Sequence, residues 1–480
     1  MLKSKTNELG IDMNANLLAM SVTELTQEYK KGEASPVEMA HSTLDQIKVH
    51  NETLNCVCLI DEEKSIEMAQ VSEKRWLEGN PKSPIDGVPV TIKDLTLTKG
   101  WPTLRGSKTI DPAGPWNEDA PATARLREAG AVLICKTTTP EFGWKGITDN
   151  PLTGITRNAW DPERTPGGSS GGAASAAASF MGPLHQGSDA AGSIRIPAAF
   201  SGVFGHKPTF GVVPNYPLPG HIGTLANMGP LTRNVTDSVL MLNILAQPDF
   251  RDYMAPPLPK QNYLEGLEGG ISGLRIAYSP TLGDSGWADK DVANAVSTVA
   301  KTYEEMGAIV EQVDPDISGC RQIINTIWSS ADAWLVDQMP PEKAKLMDPG
   351  LLEIAETGRR LSILDLVGAH AAQIELGVKM ARFHEKYDLL LTPQMPLEAF
   401  KAGRNYPEGY DMSEFLDWCP FTYPFNLTMQ PAASVPCGFG DEGMPVAFQL
   451  VGRRYDDITV LRAARAYEQL HPFKMAAGYL

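Results

Sequence analysis

Residues 165–214 read TPGGSSGGAASAAASFMGPLHQGSDAAGSIRIPAAFSGVFGHKPTFGVVP, a dense and regular run of glycine, serine and alanine. Two serines, Ser169 and Ser193, lie in small-residue turns on either side of segment 173–180, whose alanines predict a short helix. Backbone N–H groups in such turns can bind an oxyanion, and a serine there can attack a carbonyl if a base lies beside it. A flexible linker has a similar composition, but the SIRIPAAFSGVFG segment that starts at Ser193 is apolar enough to be core.

A candidate base lies upstream, directly after the apolar run 88–92. This run predicts a short buried strand, and Lys93 stands at its carboxyl end. Helix signals at 120–129 and strand signals at 131–135 follow, a succession typical of a parallel sheet with crossover connections. Ligands of open α/β sheets bind beyond the carboxyl ends of the strands. Most lysines are solvated surface groups, but one removed from water has a lowered pKa and can act as a base, so Lys93 is a catalytic candidate.

Three motifs, GVPVTIKD, TPGGSSGG and DAAGSIRIPAAFSGVFGHKPT, occur in this order and resemble the signature of the amidase signature family of serine hydrolases. The resemblance covers nearly the whole chain. It implies that Ser193 is the nucleophile, that Ser169 relays protons after a cis peptide bond with Gly168, and that Lys93 is the base. The spacings fit, because Ser193 lies 24 residues after Ser169 and Lys93 lies 76 residues before it.

The resemblance also implies how the nucleophile turn works. It implies an oxyanion hole built from four consecutive backbone N–H groups, those of Ala190, Ala191, Gly192 and Ser193. Where the family usually has two glycines before the serine, this chain has Ala191 and Gly192, which leaves the N–H donors in place. Asp189 and Arg195 flank the turn and are expected to hold it rather than react. No metal and no organic cofactor is implied.

The implied fold is α/β, an amidase-signature fold with a mixed central β-sheet covered by helices on both faces. Residues 1–480 are expected to form a single domain with N-terminal helices (1–80), a signature core (85–235) and a helical cap over the site (320–385). Capping-box patterns at Ser21 and Ser35 predict the starts of two N-terminal helices, which are a candidate homodimer contact.

Side chains that bind substrate are expected in the connection at 140–165, in the cap and near the serines. The candidates are Phe142, Gly143, Trp144, Gly168, Trp328 and Met429. Three further cap residues could face the pocket, with core packing as the competing interpretation: Ile327, Trp334 and Met339. Aromatic and methionine side chains favour a neutral, partly apolar amide, and the same mechanism would serve aryl amides, esters and aryl carbamates.

Charge and composition bear on partners and location. The net charge is −16, and an acidic protein is repelled by phosphate backbones and anionic membranes, so we expect neither nucleic acid nor a membrane as a partner. No apolar run approaches the roughly 18 residues of a membrane-spanning helix, and none follows the basic residues at the N-terminus as in a signal peptide. With six scattered cysteines, this favours reduced thiols in the cytoplasm.

The sequence fits the motifs of other enzyme classes less well. GGSSG at 167–171 also fits the G-x-S-x-G nucleophile elbow, in which Ser169 would need a histidine such as His185, His206 or His221. That elbow follows a buried strand, whereas 158–166 is polar and interrupted by proline. No HExxH or GxxxxGK[ST] pattern is present to indicate a metal hydrolase or ATP-driven chemistry.

Within the family, a second role stays open. The amidase subunit of a tRNA-dependent amidotransferase has the same chemistry but needs a partner that binds tRNA and ATP. A binding protein with a dead site is disfavoured, because Lys93, Ser169 and Ser193 are all present.

Overall fold

A mixed β-sheet lies at the centre of the computed structural model, which describes residues 13–218, 222–283, 285–410, 412 and 415–480. Within those residues the sheet has eleven strands. The strands are β1 (Val57–Ile60), β2 (Pro89–Lys93), β3 (Val132–Thr137), β6 (Leu184–Asp189), β7 (Phe204–Lys207), β8 (Asn227–Thr232), β9 (Arg275–Tyr278), β10 (Ile309–Gln312), β11 (Leu389–Pro393), β12 (Ala432–Phe439) and β13 (Pro445–Gly452). A separate two-stranded ribbon consists of β4 (Asp149–Asn150) and β5 (Gly154–Ile155).

The order across the large sheet is β1-β3-β2-β6-β8-β7-β12-β13-β11-β9-β10. β2 pairs in parallel with both β3 and β6, so the carboxyl ends of these three strands meet at one edge. The central strands from β6 to β11 pair antiparallel, and β9 pairs in parallel with both β11 and β10 at the far end. Lys93, the last residue of β2, therefore lies at the same edge as the turn that follows β6.

The described residues also form fifteen α-helices. They are α1 (Met13–Ala19), α2 (Val22–Lys31), α3 (Pro36–Leu54), α4 (Glu62–Leu77), α5 (Pro121–Glu128), α6 (Gly171–Ala178), α7 (Arg195–Ser201), α8 (Val235–Leu245), α9 (Lys290–Glu305), α10 (Cys320–Asp337), α11 (Pro341–Ala344), α12 (Pro349–Arg359), α13 (Ile363–Phe383), α14 (Pro424–Leu427) and α15 (Asp457–Leu470). Among the described residues, no single helix is long and apolar enough to cross a membrane. The pair α12 and α13 reaches that length and composition only together, and the two helices are bent by 97°.

Both faces of the sheet are covered by helices. Leu389 and Leu391 of β11 belong to the hydrophobic cluster that α8, α9 and α15 complete, whereas Leu390 between them belongs to the cluster of α7, α10 and α13. Successive residues of a strand point to opposite faces, so these clusters lie on opposite sides of the sheet. The fold class expected from the sequence, a mixed sheet between two helical layers, is confirmed.

Local predictions agree with the structure at several elements. Ser21 and Ser35 form the predicted capping boxes of α2 and α3, with Pro36 in the first turn of α3. The unit β9-α9-β10 extends the main sheet at its edge, as its pattern indicated. The expectation of helices throughout residues 1–80 is wrong at 57–60, which form β1 and pair with β3. This four-residue apolar run is too short for periodicity to distinguish strand from helix.

Candidate active site

A buried lysine amine contacts three serine hydroxyls at the carboxyl end of β2. Lys93 Nζ lies 2.7 Å from Ser169 Oγ, 2.8 Å from Ser170 Oγ and 3.0 Å from Ser188 Oγ. Lys93 has no exposed surface, and every residue of β2 is buried. The core strand β2 thus fixes the lysine, while the turn before α6 supplies the Ser169 and Ser170 hydroxyls and strand β6 supplies that of Ser188.

The electrostatic surroundings of Lys93 favour the neutral amine. Burial lowers the pKa of Lys93 well below that of free lysine, and the carboxylate of Asp189 only partly opposes this effect. The next residue, Asp94, points away and pairs instead with Lys136 at 3.2 Å, as alternation along the strand predicts. A neutral amine within hydrogen-bond distance of a hydroxyl can accept its proton.

The two predicted serines come together in space. Ser169 and Ser193 both line one cavity, although 24 residues separate them in sequence. The Gly168–Ser169 peptide bond is cis. The Ser170 N–H donates to the Ser193 carbonyl at 3.0 Å, which ties the turn before α6 to the turn before α7. This bond holds the two turns together, and Ser169 and Ser193 reach the same cavity from them.

A fully buried ion pair holds the turn that carries Ser193. Arg195 Nε donates to Asp189 Oδ2 at 2.9 Å, and neither side chain has exposed surface. The same guanidinium donates to the Thr422 carbonyl and to the side chains of Gln449 and Asn426. Burial raises the pKa of Asp189, but Arg195 outweighs that effect, so the pKa is lowered overall and the carboxylate stays ionised.

The N–H groups of this turn divide into two sets. The Gly192 N–H donates to Asp189 Oδ1 at 2.8 Å, so it is not free, and its predicted place in the oxyanion hole is wrong in this structure. The N–H groups of Ala190, Ala191 and Ser193 donate to no described residue and remain available for an oxyanion. Gly192 has φ of +121°, and a Cβ there would lie 2.6 Å from the Thr422 side chain, so the turn requires glycine.

A cavity of about 440 Å³ opens above the serines. Its floor comes from the two serine turns. Its walls come from the loops after β2 and β3, from residues within 215–218 and 222–228, and from α10. Most wall side chains are apolar, namely Leu95, Phe142, Trp144, Ile222, Met228, Trp328, Trp334 and Leu335. Volume and lining fit a small-molecule site with few polar anchors.

The predicted substrate residues are only partly at this cavity. Phe142, Gly143, Trp144 and Trp328 line it, and their binding role stays a prediction. Gly168 is not in the lining, because its Cα faces the backbone of Ile147, where a Cβ would lie 2.5 Å from the carbonyl carbon. The cavity lining does not include Met429 either, whose carbonyl accepts a bond from the Phe210 N–H at 3.3 Å near β12. These two assignments are corrected.

The other cap candidates divide between cavity and core. Trp334 lines the cavity. Ile327 lies in the hydrophobic cluster of α7, α10 and α13, and Met339 packs against the cluster around Leu351, so neither reaches the cavity.

Several residues at the site were missed from the sequence. Ser170 and Ser188 contact the lysine amine, and Arg105 and Asp332 bring ionisable groups to the cavity. The second serine of GGSSGG and the serine before Asp189 lie inside the quoted stretch 165–214, so these two could have been found. Nothing in the sequence near Arg105 or Asp332 indicated a site.

No histidine among the described residues lines the cavity that holds Ser169 and Ser193. His185 is buried against Thr91 and Gly182, and burial lowers its pKa to about 3. His206 pairs with Asp457 at 3.2 Å, and neither histidine lines the cavity. His221 lies outside the described residues. In the described ranges, no group of three or more His, Cys, Asp or Glu side chains could hold a metal ion, and the six cysteines are free thiols.

Known proteins resemble this chain along nearly all its length. The sequence model of the Amidase family matches residues 38–461. An acylamidase of Rhodococcus erythropolis is 37% identical over 465 residues, which cover 95% of this chain and 97% of that protein. The A subunit of the glutamyl-tRNA(Gln) amidotransferase of Carboxydothermus hydrogenoformans is 34% identical over 485 residues, covering 96% of this chain and 99% of the subunit.

Solved structures agree with the sequence comparisons. A bacterial aryl acylamidase of the amidase signature enzymes superimposes with a TM-score of 0.87 at 28% identity, covering 94% of this chain and 96% of that one. A 6-aminohexanoate cyclic dimer hydrolase has a TM-score of 0.85 at 26% identity, covering 96% and 99%. Fold and likeness together define a hydrolase that acts on amide carbon–nitrogen bonds. The chain belongs to the amidase signature family.

Proposed function

We propose that this protein is a stand-alone amidohydrolase that cleaves neutral, partly apolar amides through an acyl-enzyme on Ser193. Lys93 acts as the base and Ser169 as the proton relay. The observation that carries the proposal is the 2.7 Å contact between the buried Lys93 amine and the Ser169 hydroxyl, at the floor of an apolar-walled cavity that Ser193 also lines.

The proposed reaction begins with proton transfer along this relay. Neutral Lys93 takes the proton of the Ser169 hydroxyl, and Ser169 takes the proton of Ser193 as its Oγ attacks the substrate carbonyl. The carbon–nitrogen bond then breaks, and the proton returns from Lys93 through Ser169 to the leaving amine. Water attacks the acyl-enzyme with the same relay as base, and Ser193 recovers its proton as the carboxylic acid departs.

We assign the oxyanion to the free N–H groups of Ala190, Ala191 and Ser193. These donors are fixed by the buried Asp189–Arg195 pair, so they need not reorganise as charge develops on the carbonyl oxygen. Asp189 is already committed to Arg195 and to the Gly192 N–H, and it does not take part in proton transfer.

The cavity wall supports aryl amides as the substrate class. Trp144, Trp328 and Phe142 offer flat apolar surface to an aromatic or alkyl group, and relatives include an acylamidase and an aryl acylamidase. Esters and aryl carbamates (urethanes) have a carbonyl open to the same attack, so we extend the proposal to esterase and urethanase activity.

A second candidate function is the amidase subunit of a tRNA-dependent amidotransferase. It is supported by 34% identity over nearly the full length of one such subunit. That role would require a tRNA-binding partner and glutamine as the amide. We favour the stand-alone enzyme because the wall formed by Trp144, Trp328 and Leu335 suits an apolar group better than the charged backbone groups of glutamine.

The deciding experiment measures the purified chain alone on matched substrates. We expect hydrolysis of 4-nitroacetanilide, of 4-nitrophenyl acetate and of an aryl carbamate without tRNA, ATP or a second protein. Ser193→Ala is the control, and it should reduce all three rates to background. Absence of anilide hydrolysis by the chain alone, together with glutaminase activity that appears only with a tRNA-binding partner, would overturn the stand-alone assignment.

We further infer from the net charge of −16 that nucleic acid and anionic membranes are not partners, and from the free cysteines that the protein works in the cytoplasm. The N-terminal helices α2 and α3 remain the candidate homodimer contact. Light scattering on a size-exclusion column tests this, since a mass near 52.1 kDa would mean a monomer.

A further inference from the structure

One face of α10 forms one wall of the cavity. Trp328, Asp332 and Leu335 follow one another at helical spacing and all line the cavity. Trp328 Nε1 donates to the Trp144 carbonyl at 3.1 Å, which ties this helix to the loop at the edge of the serines. Asp332 thus lies on a fixed wall, between two apolar side chains.

Asp332 is a buried carboxyl that has no hydrogen-bond or salt-bridge partner among the described residues. It is 4% exposed, and its Oδ2 atom makes no hydrogen bond with any described residue. Other buried carboxyls of this chain are satisfied: Asp189 by Arg195, and Glu141 by the Ser107 hydroxyl and the Asp348 N–H. Because buried polar groups are normally hydrogen-bonded, a bound ligand can supply the partner that this cavity-lining carboxyl lacks.

The surroundings of Asp332 favour its uncharged form. An ionised carboxylate without a partner is strongly disfavoured in an apolar environment. Burial accordingly raises the pKa of Asp332 well above that of a free aspartate. A neutral carboxyl presents one O–H donor and one carbonyl acceptor side by side.

We propose that Asp332 is a specificity residue that hydrogen-bonds to a second neutral carbonyl and N–H group of the substrate, an amide, carbamate or urea separate from the scissile bond. This inference rests on the proposed function and narrows its substrate class to amides that carry such a second group. The scissile carbonyl belongs at the Ser193 turn, so the group that Asp332 binds is a different one. A cavity of about 440 Å³ has room for both.

The cavity argues against a cationic group as the partner of Asp332. Arg105 lines the same cavity and has no salt bridge with a described acid. A second positive charge would enter an apolar space that already holds a guanidinium. A neutral carbonyl and N–H group avoids this repulsion and offers the carboxyl a hydrogen-bond partner.

The test uses matched 4-nitroanilides whose acyl chains end in a carboxamide, in an isopropyl group of the same shape, or in an ammonium group. Two, four or six methylene groups separate the terminal group from the scissile carbonyl. A second series carries the same terminal groups on the amine side of an acetamide, with acetate release as the readout. The variants are Asp332→Leu, which removes the hydrogen bonds, and Asp332→Asn, which keeps one donor group and one acceptor.

We expect the wild-type protein to prefer the carboxamide over the isopropyl substrate in at least one series. Asp332→Leu should lower kcat/KM for the carboxamide substrate about tenfold, mainly through KM, and leave the isopropyl substrate within about twofold. Asp332→Asn should keep most of the preference. Because Asp332→Leu removes an unsatisfied buried group, its midpoint in urea unfolding should equal or exceed that of the wild type.

Two results would overturn the inference while leaving the proposed function intact. In the first, Asp332→Leu lowers activity on both substrates equally or unfolds at lower urea, which means that the residue is structural. In the second, the ammonium substrate is the best one and Asp332→Asn loses it, which means that a carboxylate binds a cation. If the wild type cleaves none of the amides, the proposed function fails and the inference with it.

Discussion

Replacing Arg195 tests how the nucleophile turn is built. The Arg195 side chain donates five hydrogen bonds with no exposed surface: two to Asp189 and one each to Thr422, Gln449 and Asn426. Arg195→Met keeps much of the side-chain length but leaves the Asp189 carboxylate buried and uncompensated. Removing one partner of a buried ion pair typically costs about 3–5 kcal/mol. A whole domain is stable by only about 5–15 kcal/mol.

Urea unfolding of purified variants measures this loss. Arg359→Met is the matched control, since Arg359 pairs with Asp337 at 2.7 Å on the surface and should contribute no more than about 1 kcal/mol. Adding Asp189→Asn to Arg195→Met removes the uncompensated charge, so the double variant should be more stable than Arg195→Met alone. Turnover should stay low in the double variant, because the Ala190, Ala191 and Ser193 N–H groups lose the support of the turn.

If Arg195→Met destabilises the protein no more than Arg359→Met does, the buried pair with Asp189 does not stabilise the turn as described. If Arg195→Met keeps normal kcat while folded, the ion pair does not position the N–H groups. A loss of stability without recovery in the double variant would show that the three other acceptors, rather than the charge of Asp189, dominate.

Four further predictions concern Lys93 and two residues beside the proposed relay, Ser188 and Gly143. The kcat/KM of the wild type should rise with pH through one ionisation below the pKa of about 10.4 of free lysine, because burial lowers the pKa of Lys93. Lys93→Met should abolish turnover yet raise the free energy of unfolding at neutral pH. In the unfolded chain Lys93 binds a proton that it gives up in the folded protein, which lowers the free energy of unfolding at neutral pH. The stability gained by Lys93→Met should therefore shrink as the pH rises toward about 10.4. Urea titrations at several pH values would check this trend. Ser188→Ala removes an oxygen that stabilises the Lys93 ammonium at 3.0 Å and should move the pH–rate profile to lower pH. Gly143→Ala should lower kcat/KM at least about tenfold, because its Cβ would lie 2.9 Å from Leu95 Cδ1 and 3.4 Å from Ser169 Oγ. Gly154→Ala is the control, since Gly154 has a similar positive φ but no such neighbours. This control should lower the stability measured by urea unfolding and leave kcat/KM unchanged.

Much of the fold could be predicted from local sequence patterns. The strand before Lys93, the capping boxes at Ser21 and Ser35, and the β9-α9-β10 unit all have signals within a few residues of the element they form. β1 had none, because four apolar residues between helices become a strand only by pairing with β3, which is 72 or more residues away in sequence. Such pairing is a tertiary effect that periodicity does not contain.

Some residues of the candidate site could also be predicted from the sequence, whereas others could be recognised only in the structure. Lys93, Ser169 and Ser193 could be chosen from the motifs shared with the family. The structure places the Lys93 amine against the Ser169 hydroxyl and lines one cavity with both serines. Gly192 could not be excluded from the oxyanion hole by sequence, because its N–H is taken by a carboxylate that Arg195 orients. Asp332 lies in a cap helix whose other face is core, so only the cavity itself distinguishes it from a packing residue.

The central claim is that Ser193, and not Ser169, is the nucleophile that Lys93 activates. The most direct measurement is to treat the wild-type protein with a fluorophosphonate and to find the labelled residue by peptide mass spectrometry, with Ser193→Ala and Ser169→Ala as the variants. We expect the label on Ser193 in the wild type and no label in Ser193→Ala. A label on Ser169 that persists in Ser193→Ala and disappears in Ser169→Ala would contradict it.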